Sequence, residues 1–203
     1  MTQWVENPTG GRDRGPRAIV RAWGEVMLRP RRFFNVGVAP GDQAPGMVFG
    51  VLVTLVEISS RMAFGGVAVG GAGGDSFLSK LFVLIAVGLF VAPAVLHLTA
   101  ALQTVVLMLF VPDRAGISET VQVIGYAVAP CLFAGLPFPK VRAACTLYGA
   151  ILLTVGTSEV HDTSLIRAVV VTSIPSALVF GYGFRGFDAF VTSFPALGGV
   201  VPW

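Results

Sequence analysis

The sequence predicts an all-α fold: a polytopic membrane bundle of five transmembrane helices, with the N-terminus inside and the C-terminus outside. Three observations carry that reading. Of 203 residues, 54% are hydrophobic and only 12% charged, at a mean hydropathy of +0.78; soluble domains carry roughly twice that charged fraction. Several apolar runs approach the roughly 20 residues that an α-helix needs to cross about 30 Å of hydrocarbon. Seven of the fourteen basic residues precede the first run, the asymmetry described by the positive-inside rule. That asymmetry accounts for the pI near 9.2 without nucleic acid as a partner.

The elements follow in order. Residues 1–16 are polar and rich in Gly and Pro, and read as a disordered tail. Residues 17–45 form a basic juxtamembrane segment. In it Ile19, Val20, Trp23, Val26 and Met27 recur at helical spacing until Pro30 ends the run. Two readings stand for this stripe: a helix lying in the membrane interface, or one packed on the protein's own cytoplasmic surface. In both, Arg29, Arg31 and Arg32 face anionic lipid headgroups. The first apolar run opens only near Met47, behind these arginines, so no cleaved signal peptide is expected.

Residues 46–183 hold the five spans. The first covers about 46–64 and places Glu57 and Arg61 one turn apart on one face. A lone charge is costly in hydrocarbon, so mutual pairing is expected. A glycine-dense loop, GGVAVGGAGGDS, follows over 65–76. The run from Leu81 to Val111 is too long for one perpendicular crossing and too short for two, which predicts one long helix bent at Pro93. His97 lies one turn beyond that proline and is either a functional group or a neutral imidazole bonded to a neighbouring helix. Span three covers about 120–136, with Ser118, Glu119 and Thr120 offering capping oxygens at its start. Span four covers about 141–157 and span five about 164–183. Residues 184–203 read as an aromatic interfacial tail.

Pro93, Pro130 and Pro175 place a break in three of the spans. In a bundle, neighbouring helices, hydroxyls or water satisfy the carbonyl that each proline frees. Tyr126 is one turn before Pro130, so its ring fills the bend. Cys131 and Cys145 fall in apolar runs and read as small hydrophobes. Each is seven residues from Phe138, so a hairpin of spans three and four puts them at similar depth. With five spans, nine basic residues fall on the inner segments against four on the outer.

The stretch Gly125-Tyr126-Ala-Val-Ala-Pro130 resembles the GY-x-x-x-P signature in the third span of the Yip-type domain family, the Ypt/Rab-interacting integral membrane proteins and their prokaryotic relatives. Upstream, Pro30-x-x-Phe33-Phe34 is similar to the element that precedes the first span in prokaryotic members. Gly156-x-x-Glu159-x-His161 is similar to their short loop after span four. The resemblance covers about residues 25–183 and implies five spans, a cytoplasmic N-terminus and a role in the secretory pathway. Eukaryotic relatives carry a longer N-terminal region for partner binding. Here that region is about 45 residues and mostly basic, so the chain resembles a prokaryotic member of the cell membrane.

Two functions are compatible with these features. One is a non-enzymatic scaffold or membrane-organising protein, working through helix contacts as a homo- or hetero-oligomer. The other is a small transporter or channel subunit with a polar site around Glu57, His97 and Tyr126, since broken helices often build mid-membrane sites. No catalytic constellation is legible: there is no HExxH, no Walker loop and no Gly-x-Ser-x-Gly elbow. A Ser59 or Ser173 partner for His97 has no activating neighbour in the sequence. No cofactor is expected, and the two His and two Cys lack metal-ligand spacing. After span four, Glu159, His161 and Asp162 offer either a partner contact or a cap for span five through Asp162 or Thr163.

Overall fold

A computed structural model describes residues 15–65 and 76–194. The tail before Gly15, the glycine-dense loop over 66–75 and the chain after Phe194 lie outside the described residues. Every regular element among the described residues is helical. The bundle comprises α3 (Ala44–Ala63), α4 (Phe77–Ala86), α5 (Ala92–Phe110), α6 (Ile117–Ala127), α7 (Pro139–Val160) and α8 (Leu165–Ser176). Two short helices, α1 (Pro16–Leu28) and α2 (Pro30–Gly37), precede it, and α9 (Gly186–Ser193) follows. A π turn at Val87–Val91 joins α4 to α5, and a second, Ala177–Gly183, extends α8.

Among the described residues, four helices are long and apolar enough to cross a membrane: Ala44–Ala63, Phe77–Phe110, Pro139–Val160 and Leu165–Gly183. The first, third and fourth match spans expected from the sequence. The 34-residue Phe77–Phe110 is the long single helix expected there, about 51 Å at 1.5 Å per residue. Its irregularity is the π turn immediately before Pro93.

The remaining expected span differs. Ile117–Phe133 is a shorter apolar segment and is not one continuous helix. Pro130 lacks an N–H and clashes with the preceding turn, so α6 stops at Ala127 and the chain tightens into a 3-10 turn over Ala129–Phe133. Cys131 N–H donates to Val128 O at 2.8 Å and Ala134 N–H to Cys131 O at 2.9 Å. Its position explains its composition. Thr120 through Cys131 are all buried, because α6 is flanked by α3, α5 and α7. A helix enclosed on every side can be apolar all round.

The α3–α6 contact fixes direction and spacing. Gly46 meets Gln122, Gly50 meets Gly125, and the Glu57 carbonyl meets Gly135, so the two helices run parallel. A Cβ on Gly125 would collide with the Gly46 carbonyl, which makes this a small-residue crossing of the kind that lets membrane helices approach closely. The helix α7 returns antiparallel to α6. Val123 lies beside Gly156, and Cys131 Sγ is 4.0 Å from the Cys145 carbonyl oxygen, as the hairpin reading requires.

Two local expectations are refined and one, the caps, is corrected. Pro30 does not simply end the amphipathic run: it starts α2 at its first position, where a missing N–H costs nothing. The stripe packs on protein rather than lying free in the interface. Trp23 Nε1 donates to Ala129 O at 2.9 Å, the Tyr148 hydroxyl donates to Met27 O at 2.6 Å, and Phe34 reaches Gly156. These contacts advance along the bundle, so α1 and α2 lie lengthwise on it. Caps also differ. Gly116, not Ser118, Glu119 or Thr120, precedes α6, and the Thr120 hydroxyl bonds back to Gly116 O. Before α8 the cap is Ser164, accepting from Arg167 N–H at 3.4 Å. Asp162 instead takes a left-handed conformation (φ 44°) that ends α7. In the tail, α9 packs on α7.

Candidate functional site

The three short motifs, separated by up to about 130 residues of chain, meet at one place. Helix α2 lies against α7 and brings Phe33 and Phe34 to the face where α6 and α7 touch. The Phe33 ring packs edge-on to Tyr126 at 4.8 Å between centroids, and Phe49 of α3 packs on the same tyrosine at 5.2 Å. Phe34 crosses Gly156 so closely that a Cβ there would meet its ring at 2.8 Å. Tyr126, Phe33 and Phe34 are at most 1% exposed. Edge-to-face aromatic pairs contribute about 0.5–1.5 kcal/mol beyond the area they bury.

Polar contacts close the edges of this junction. Glu159 Oε2 accepts from Asn35 Nδ2 at 2.7 Å, and its other oxygen is 3.6 Å from Arg31 Nε. His161 is 1% exposed, with Nε2 3.4 Å from Thr120 Oγ1. The Thr120 hydroxyl also lies 3.1 Å from Gly116 O. Nδ1 is buried without a hydrogen-bond partner among the described residues. Burial, with a smaller push from Arg114, lowers the His161 pKa to about 4, so the ring is neutral at neutral pH.

Gln122 is the residue that sequence reasoning missed. Its Oε1 accepts from Ala39 N–H at 3.0 Å and its Nε2 donates to Ala39 O at 2.7 Å. This pair ties the chain after α2 to the central helix. A polar amide in an otherwise apolar run was the available signal, because a buried amide needs a partner.

The remaining singled-out residues lie elsewhere. Glu57 is 4% exposed, and Arg61 Nη1 donates to its Oε1 at 3.4 Å, forming the expected i,i+4 pair. Pro130 sits in the 3-10 turn, and Trp23 occupies the Ala129 carbonyl beside it. Among the described residues His97 bonds its own helix rather than a neighbour: its Nδ1–H donates to Pro93 O, one turn back, at 2.8 Å. Ser173 likewise donates to its own helix, at Val170 O. A cavity beside α3 is lined by Glu57 but by neither His97 nor Tyr126. Among the described residues no three His, Cys, Asp or Glu side chains gather as for a metal.

The geometry defines an all-helical, multi-pass membrane protein whose motif residues assemble a packed junction between the juxtamembrane helices and the bundle. The family model described as Yip1 domain matches residues 24–184, and the chain belongs to that family. No curated protein and no solved structure matches it.

Proposed function

We propose that this protein is a non-enzymatic membrane scaffold of the Yip1 family, organising partners or lipids with a trafficking-like role. The observation that carries the reading is the fate of the motif residues. Phe33, Phe34, Tyr126 and Gly156 pack α2 to α6 and α7, Gly125 packs α6 to α3 and His161 joins α7 to α6, and α1 and α2 present their remaining surface outward. On that surface Arg29, Arg31 and Arg32 are exposed, together with Val20 at 70% and Leu28 at 82%. Arg31 and Arg32 hold loose internal partners, Glu159 at 3.6 Å and Glu25 at 3.5 Å. Exposed pairs of that kind are worth less than about 1 kcal/mol, so a headgroup phosphate can compete for either guanidinium. Five spans with the Arg29–Arg32 end of this face inside, in the cell membrane, is the topology that the basic residues favour.

Affinity purification from native membranes tests the reading. The wild type is expected to co-purify a defined partner or a surplus of anionic lipid. Neutralising Arg29, Arg31 and Arg32 to Gln is expected to remove it while lowering thermal stability little, since each exposed pair is worth less than about 1 kcal/mol. Identical co-purified material from both proteins overturns the proposed face.

A further inference from the structure

The cavity lined by Glu57 has properties that the scaffold role does not use. It measures about 170 Å³ and lies between α3, α6 and both π turns. Val87 and Val91 of one π turn and Val179 and Gly183 of the other border it. Single π turns inside α-helices occur frequently at functional sites, and here two helices place theirs on one space. The wall toward lipid is open: Val91 is 51% and Val95 48% exposed.

Apart from Thr54 and Glu57, every lining side chain is apolar or glycine. Both polar groups offer acceptors. The Thr54 hydroxyl gives its proton to Gly50 O at 2.9 Å, leaving its lone pairs, and a carboxylate only accepts. An occupant must therefore bring a hydrogen-bond donor at one end and hydrocarbon at the other. Its charge is decided by the surroundings. Arg61 already pairs with Glu57. A further cation would add an uncompensated charge in a low-dielectric space, which is costly. An anion would face two acceptors without a donor on the cavity wall.

We propose that this cavity binds a neutral single-chain amphiphile with a hydroxyl head, the hydroxyl donating to Glu57 or Thr54 and the chain lying along the two π turns. The ligand enters sideways from the bilayer past Val91 and Val95.

The test uses the full chain in phosphatidylcholine nanodiscs and a diazirine-bearing analogue of octanol, with photolabelled positions read by peptide mass spectrometry. Labelling is expected within Val87–Ala92 and Val179–Phe184. Octanol should displace it, whereas octylamine and octanoate at equal concentration should not. Ala92→Phe fills the space without touching the Glu57–Arg61 pair and is expected to cut labelling by about tenfold or more. Glu57→Gln, which keeps one acceptor but loses the charge, is expected to weaken octanol competition by up to about tenfold. Thermal unfolding of each variant separates lost binding from lost fold, and Thr54→Val serves if Glu57→Gln unfolds. Labelling spread evenly along the exposed face of α5, unchanged labelling in Ala92→Phe, or displacement by octylamine as effective as by octanol each overturns the proposal.

Discussion

At the scale of single residues, the side chains that matter are those with no room to change. Gly125 lies against the backbone of Gly46, and two backbones in contact cannot yield as a flexible side chain can. Gly125→Ala should therefore destabilise by about 1–3 kcal/mol, the usual cost of overpacking, read as a lowered thermal midpoint in detergent. His161 gives a pH signature. Its pKa falls from about 6.5 in the unfolded chain to about 4 in the fold, so the unfolded state binds the proton first. The neutral ring contributes stability that is fully present above about pH 6.5 and drains away as pH falls toward 4. The total is on the order of 3 kcal/mol. A His161→Asn variant should show a flatter stability profile across that window in thermal unfolding. An unchanged slope would mean that the ring is solvated.

At the scale of elements, the α6–α7 hairpin is the most consequential pairing. It sets Thr120 against His161 at one end and Cys131 against Cys145 at the other. A short thiol cross-linker should join Cys131 and Cys145 within one chain, with slow kinetics because Cys131 is fully buried. Mass spectrometry of the digested protein would show the linked peptides. Links from Cys131 only to other chains would sink the hairpin. The sequence placed this hairpin, because two apolar runs flank the proline-rich turn LPFPKV. It did not place the end of α6: Pro130 was legible as a break, but whether a membrane helix bends or stops at proline depends on what meets the freed carbonyls. Here Trp23, 106 residues away in sequence, donates to the Ala129 carbonyl of the 3-10 turn, a contact that holds the tightened conformation.

For the whole molecule, orientation is the open quantity with the clearest measurement. An odd number of crossings requires Ile117–Phe133 to span the bilayer from inside the bundle, shielded by its neighbours rather than by its own length. Its α turn and 3-10 residues together cover about 26 Å at 1.5 and 2.0 Å per residue, close to a hydrocarbon thickness of about 30 Å. Reporter tags at the two ends should then read from opposite sides of the membrane. Both tags reporting from one side would leave an even number of crossings, with α6 as a buried plug.

Composition and periodicity alone determined that this chain is a helical membrane protein, where its long helices run, and that Glu57 pairs with Arg61. These follow from local physics: hydrocarbon demands internally bonded backbone, and residues four apart on a helix are neighbours. Only the tertiary structure decided that Phe33, Tyr126, Gly156 and His161 belong to one junction, that Gln122 holds Ala39, and that the cavity lined by Glu57 is lined by neither His97 nor Tyr126. Such relations depend on how helices are rotated and crossed, and a pattern along one chain does not encode which face of a fully apolar helix meets which neighbour.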